Sequence, residues 1–196
     1  MNTKTQSLST GDNLTSMVSM TILVTGASRS GKSRWAEYLI RNSSEVCYMA
    51  TGNYDIKDEN WTKRIRIHQE RRPKHWDVIE TSLDLVAEIQ KRNQSDILID
   101  SLGGFVAAHI DKADSNWIEI YKSLIKALKD HLHKTIIVIE EVGWGVVPET
   151  SVGNRFRDRL GELSQKLEFI SNQNWLTVQG RAIDLRKISI SIPPTF

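Results

Sequence analysis

The chain has 196 residues, of which 39% are hydrophobic and 26% charged, enough for one substantial core and in the range of a single domain. Its formal net charge of +2 is too small for a surface that binds nucleic acid through counterion release, so the expected partners are small molecules and not nucleic acid. Apolar runs fall short of the roughly 20 residues of a membrane span, and the N-terminal residues lack the basic and apolar stretches of a signal peptide. With the lone Cys47 inside the apolar run Val46-Cys47-Tyr48-Met49, the expectation is a cytoplasmic protein with no membrane span and no disulfide.

In chain order, residues 1–19 are rich in Ser, Thr, Asn and Gly and cannot bury enough surface to offset the entropy of ordering, which predicts a flexible N-terminal extension. From Met20 onward short apolar runs alternate with helix-like segments. Strands are expected at Thr21–Thr25, Glu45–Ala50, Asp77–Glu80, Asp96–Asp100, Thr135–Glu140 and Trp175–Gln179. Helices are expected at Ser33–Arg41, Asn60–Arg71, Ser82–Lys91, Trp117–His131 and Asn154–Ile170, with Ser101–Ile110 ambiguous and Ile188–Phe196 read as a loose end or packing arm. This alternation predicts an α/β domain over residues 20–196, with a mostly parallel central sheet flanked by helices.

The first strand runs into Gly26-Ala27-Ser28-Arg29-Ser30-Gly31-Lys32-Ser33, a Gly-x-x-x-x-Gly-Lys-Ser pattern that then opens an amphipathic helix. Strand before and helix after are the context a P-loop requires. Its backbone N–H groups and the helix N-terminus cradle phosphates, Lys32 reaches the β- and γ-phosphates, and Ser33 offers its hydroxyl to Mg²⁺. Such a cradle needs an acid at the end of a neighbouring strand, and Asp100, closing Asp96–Asp100, is the first candidate for the metal site. Glu140 and Glu141 end the next strand and compete for that role. Asp100 as a helix N-cap is the competing structural reading.

Three further segments carry chemistry. In Arg64–Trp76, "RIRIHQERRPKHW", His68 stands among Arg64, Arg66, Arg71 and Arg72; the run reads either as a solvated face or as a phosphate-neutralising cluster with an imidazole nucleophile for an α-phosphorus. The stretch "EEVGWGVVPE", Glu140–Glu149, is a shaped loop after a buried strand, either facing substrate or a rigid turn capped by Trp144. In "NRFRDRLGELSQKL", Phe156, Leu160, Leu163 and Leu167 are expected to face the core, with Arg155, Arg157 and Arg159 solvated or at a subunit contact.

Taken in order, "ILVTGASRSGKSRWAE", "YMATG", "RIRIHQERRPKHW", "ILIDSL" and "EEVGWGVVPETSVGNRFRDRLGELSQKL" resemble the bifunctional adenosylcobinamide kinase/adenosylcobinamide-phosphate guanylyltransferase family of cobalamin assembly. The Glu-Val-Gly-x-Gly-x-Val-Pro-Glu segment followed by Phe-Arg-Asp is the most specific match. The resemblance implies a P-loop (RecA-like) fold, a homotrimer, and two transfers at one nucleotide site, using ATP or GTP with Mg²⁺. In the first, a nucleoside triphosphate phosphorylates adenosylcobinamide; in the second, GTP gives GMP to that phosphate through a guanylylated histidine. By position, Gly26 to Ser33 would hold the triphosphate, Thr51 and Gly52 would line the guanosine side, Glu80 and Asp100 would sit in the nucleotide and Mg²⁺ region, and His68 would be the nucleophile. The chain departs from the family pattern at Ile67, where a first histidine often precedes His68, at Glu140, usually Asn, across Ser101–Phe105, and at Ala108, often Asn. A P-loop kinase for another small alcohol, and a nucleotide-binding regulatory relative, are the alternative readings.

Overall fold

The aliphatic runs of the inner strands carry no polar alternation, as strands covered on both faces require. In the computed structural model, which describes residues 19–52 and 72–193, they lie at the middle of a seven-stranded sheet. The elements are β1 (Met20–Gly26), α1 (Lys32–Ile40), β2 (Val46–Ala50), β3 (Asp77–Glu80), α2 (Leu85–Lys91), β4 (Asp96–Asp100), α3 (Leu102–Ala108) and α4 (Asp114–Asp130). There follow β5 (Lys134–Glu140), α5 (Ser151–Glu168), β6 (Gln173–Val178), β7 (Arg181–Asp184) and α6 (Leu185–Ile188).

The strand order is β3-β2-β4-β5-β1-β6-β7. All neighbours are parallel except β6 and β7, which form an antiparallel hairpin. β5 is thus inserted between the P-loop strand β1 and β4, the strand that ends in Asp100. This is the expected mostly parallel α/β sheet, and every expected strand is present within two residues at each end.

Period-two alternation divides the buried side chains between the two faces. Leu23, Met49, Ile97, Ile99, Ile137 and Ile139 point to the side covered by α2 to α5, where Leu85, Phe105, Trp117, Leu124 and Leu163 close the core. Ile22, Val24, Tyr48, Leu98, Ile136 and Val138 point to the side of α1, where Ala36, Ile40 and Trp76 meet them. Cys47 lies in the first of these clusters, 1% exposed and free, as its apolar neighbours indicated. Burial pushes its thiol up to about 11.

Several expectations are refined. The ambiguous Ser101–Ile110 stretch contains α3, and helix α5 starts three residues early because the Thr150 hydroxyl accepts from Gly153 N at 3.1 Å, an N-cap the sequence reading overlooked. β7 was not expected: its short, half-exposed Arg-Ala-Ile-Asp carries little strand signal, and the turn before it, Gln179 at φ +50° and Gly180 at φ +76°, is the tight reversal that makes the hairpin. The expected helix Asn60–Arg71 lies outside the described residues. Beyond α6 the chain leaves Ile190 and Ile192 exposed.

Candidate active site at the carboxyl ends of the strands

β1 delivers Gly26 to the loop, and α1 begins at Lys32 directly after Gly31, which sits at φ +103°. A side chain would strain that turn. The unpaired N–H groups of the first helical turn and the positive end of the dipole therefore face the loop of Ala27, Ser28, Arg29 and Ser30. Lys32 folds back over the loop, its Nζ donating to Ala27 O at 3.2 Å.

The cradle is braced from β6. The Thr177 hydroxyl donates to Thr25 O at 3.1 Å, so the Ser30 hydroxyl is the donor in its 2.7 Å bond to Thr177 Oγ1. Gly180 N donates to Ser30 O at 3.0 Å. A Cβ on Gly26 would overlap Thr177 Oγ1, so the closeness of the brace depends on glycine there.

On the other flank, Gly26 pairs in register with Glu140, and Asp100 with Val138. Glu141 N donates to Gly26 O at 2.9 Å, tying the end of β5 to the start of the P-loop. Of the three competing acids, two are engaged in local capping. Glu140 accepts from the Ser101 hydroxyl and, at 3.0 Å, from Gly103 N, so it caps α3 across the sheet; Glu141 accepts from Gly143 N at 2.8 Å. Asp100 instead takes the Tyr48 hydroxyl at 2.6 Å, its one side-chain partner among the described residues. Burial and the Asp100 charge hold the Tyr48 phenol well above its ordinary pKa, so it stays a hydrogen-bond donor. Over the Tyr48 ring, 3.5 Å from its centroid, lies the Arg72 guanidinium.

Thr51 joins the same knot. Its N–H donates to Asp100 O at 3.3 Å, its hydroxyl donates to Ser101 O, and Ser101 N donates back to Thr51 Oγ1 at 3.0 Å across a cis Asp100–Ser101 peptide. Gly104 leaves the space that Thr51 O fills. Gly52 is exposed beyond it, and Glu80, also exposed, ends β3 opposite Ala50. Thr51 and Glu80 therefore share the carboxyl edge with the P-loop but stand three and four strands from it, about 14 and 19 Å at the usual ladder spacing. His68 and its neighbours Arg64, Arg66 and Arg71 lie outside the described residues.

Among the described residues no three His, Cys, Asp or Glu side chains gather as a metal cage. Mg²⁺ in nucleotide sites is ordinarily held by one or two protein oxygens together with substrate phosphates. The Ser33 hydroxyl and the Asp100 carboxylate are oxygen donors of the fitting kind. Asp100, rather than Glu140, has the lighter hydrogen-bond load.

The loop after β5 is not capped by its tryptophan: Trp144 is 67% exposed and Val146 95%. Arg159, expected to be solvated or at a subunit contact, is buried within the chain itself. Its guanidinium donates to the carbonyls of His109, Ile110 and Lys112 at 3.0, 3.2 and 2.6 Å and to Asp114 at 2.8 Å, fastening the turn after α3 to α5. Sequence reasoning also overlooked Thr177, Gly180 and Tyr48 as supports of the site. The Gln-Gly pair at 179–180 was the one available signal, since a glycine after a polar residue between two short strands marks a hairpin.

Comparison with known proteins places the chain among relatives of one family. The bifunctional adenosylcobalamin biosynthesis protein CobU of Escherichia coli is 35% identical over 184 residues, spanning 85% of this chain and 100% of that protein. The protein of the same name from Salmonella typhimurium is 34% identical over 186 residues, with 85% and 100% covered, and CobP of Pseudomonas aeruginosa is 31% identical over 168 residues, with 84% and 96% covered. Among solved structures, an ATPase of a bacterial type III secretion system superposes with a TM-score of 0.54 at 10% identity, over 89% of this chain and 60% of that one, a likeness of fold alone. The family model described as cobinamide kinase / cobinamide phosphate guanyltransferase matches residues 22–185, and the chain belongs to that family.

Proposed function

We propose that the protein phosphorylates adenosylcobinamide with ATP or GTP and then transfers GMP from GTP to the phosphate so formed, giving adenosylcobinamide-GDP. The observation that carries this reading is the cradle itself: Gly26 to Ser33 opens α1 straight from β1, with Asp100 two strands away on the same edge. In the first transfer the acceptor hydroxyl oxygen bonds to the γ-phosphorus, the nucleoside diphosphate leaves, and the hydroxyl proton goes to solvent or a nearby base. Lys32 withdraws charge from the β- and γ-oxygens, and the loop N–H groups fix the chain of phosphates in line. Ser33 and Asp100 would hold Mg²⁺, which supplies further charge stabilisation on the phosphate oxygens when bound.

In the second transfer a neutral His68 nitrogen bonds to the α-phosphorus of GTP and pyrophosphate leaves. The phosphate of the acceptor then takes GMP and frees the imidazole. Thr51, Gly52 and Glu80 line the guanosine side in this reading, and a cytoplasmic homotrimer is its expected form. A second reading, phosphoryl transfer alone, is favoured by one feature: Ile67 stands where the family often carries the first of two histidines.

The test is incubation with Mg²⁺ and GTP labelled on the α-phosphate. Acid-labile, alkali-stable label on the chain, lost in His68→Ala, is the expected result. Label that persists in the variant removes His68 from the role. Its absence in the unaltered protein, with phosphate still passing to adenosylcobinamide, establishes the second reading.

A further inference from the structure

We propose that the exposed tip of the loop after β5, formed by Trp144, Val146 and Val147, seats the corrin ring of the phosphoryl acceptor. This rests on adenosylcobinamide being that acceptor, as proposed above. Trp144 is 67% exposed, Val146 95% and Val147 60%, and Val152 on the first turn of α5 adds a further apolar side chain at 51%. Single exposed apolar residues are ordinary, but four between Trp144 and Val152 make a patch of the kind that receives a ligand or a partner.

The tip is carried on a fixed frame. At its root Glu141 N donates to Gly26 O at 2.9 Å, and the Glu141 carboxylate accepts from Gly143 N at 2.8 Å. At its far end Asn154 Nδ2 donates to Pro148 O at 2.8 Å and to Thr150 O at 3.1 Å. A Cβ on Gly153 would lie 2.7 Å from Pro148 Cβ, so the proline rests on α5 where only a glycine admits it. Val142 packs against the core beneath, and Gly143 to Val147 belong to neither core cluster. Holding both ends lowers the ordering cost of binding at the middle.

Position and charge select the occupant. β5 lies between β1 and β4, so its loop leaves the edge between the P-loop and Asp100, at the phosphate end of the nucleotide. The guanosine side at Thr51, Gly52 and Glu80 follows β2 and β3, two and three strands further along, and is left clear. The cradle and its helix carry Arg29, Lys32 and Arg34, whereas Glu140 to Val152 holds three glutamates and no lysine or arginine. That balance disfavours a second anion and suits a cation. Adenosylcobinamide is one: its corrin is flat, with methyl groups on its faces, amides on its rim and a net positive charge at its cobalt centre. An indole beside two valines makes a bed for the apolar face, and the exposed Glu149 offers a carboxylate to rim N–H groups.

Calorimetric titration with adenosylcobinamide and with GTP separates acceptor from nucleotide. Trp144→Ala is expected to weaken adenosylcobinamide binding roughly tenfold, within the range for truncating an interfacial tryptophan, and Val146→Ser to weaken it less. Trp144→Phe should keep most of the affinity, and GTP binding should not change. In initial rates Trp144→Ala should raise the KM for adenosylcobinamide and leave kcat in place, the mark of binding shared by ground and transition states. Adenosylcobinamide binding unchanged in both Trp144→Ala and Val146→Ser overturns the seat while the proposed function stands. Adenosylcobinamide and GTP weakened together, or a lower molar mass of the variants in light scattering, overturns it too and makes the patch a support of the fold or a contact between copies. An unaltered protein that binds GTP but not adenosylcobinamide removes the acceptor reading and the seat with it.

Discussion

The two flanks of the P-loop are held by different means. Toward β5 and β4, side-chain hydrogen bonds join Glu140 to Ser101, Ser101 to Thr51 and Asp100 to Tyr48, the Thr51 N–H donates to Asp100 O, and α3 is capped from across the sheet. Toward β6 and β7 one threonine and one backbone N–H brace the loop, and beside them lie an open cavity and Arg34 and Arg181, which have no ion pair among the described residues. Satisfied polar networks fix geometry, whereas uncommitted cations and open space receive ligands. The contrast is between a flank closed on itself at Asp100 and a flank left open at β6 and β7.

The largest expected effect falls between the flanks. Lys32→Ala should lower the initial rate of phosphate transfer by roughly 10²- to 10³-fold, the cost of removing one preorganised donor to developing charge, with the unfolding midpoint little moved because Ala27 O is the one hydrogen-bond partner of Lys32 Nζ among the described residues. On the locked flank, Gly103→Ala places a Cβ 2.6 Å from Glu140 Oε2 and should destabilise by about 1–3 kcal/mol in urea unfolding. Shortening the acid in Glu140→Asn should recover part of that loss, and a double-mutant cycle with no coupling would separate Glu140 from α3. On the braced flank, Thr177→Val removes the bridge between Ser30 and Thr25 and should cost about 1–2 kcal/mol, with weaker tripolyphosphate binding.

The smallest effect is on pH dependence. The folded pKa of Tyr48 lies above its ordinary 10.0, so the unfolded chain loses that proton first and the folded state holds more protons above 10.0. Stability from this group is complete below 10.0 and falls as pH rises beyond it. Tyr48→Phe should flatten that part of the alkaline unfolding profile.

What the sequence made legible was whatever repeats locally. Uninterrupted aliphatic runs marked the inner strands, and Gly31-Lys32-Ser33 after a strand marked the cradle, because both signals depend on neighbours in the chain. Contacts across the sheet left no such trace. That Glu140 caps α3, that Thr177 braces Ser30 147 residues away, and that Arg159 is buried under the turn after α3 all follow from strand order, which composition does not encode. Asp100 was named for its place at a strand end, while Tyr48, which holds it, read as one more buried aromatic.

The chain's single cysteine gives this architecture a built-in reporter. Cys47 stands on β2, one residue from Tyr48, shielded and with its thiol pushed up to about 11, so almost none of it is the reactive thiolate near neutral pH. An alkylating dye therefore modifies the chain only when β2 parts from its neighbours. The labelling rate reads out opening of the strand that carries Tyr48 and leads to Thr51, without any engineered probe.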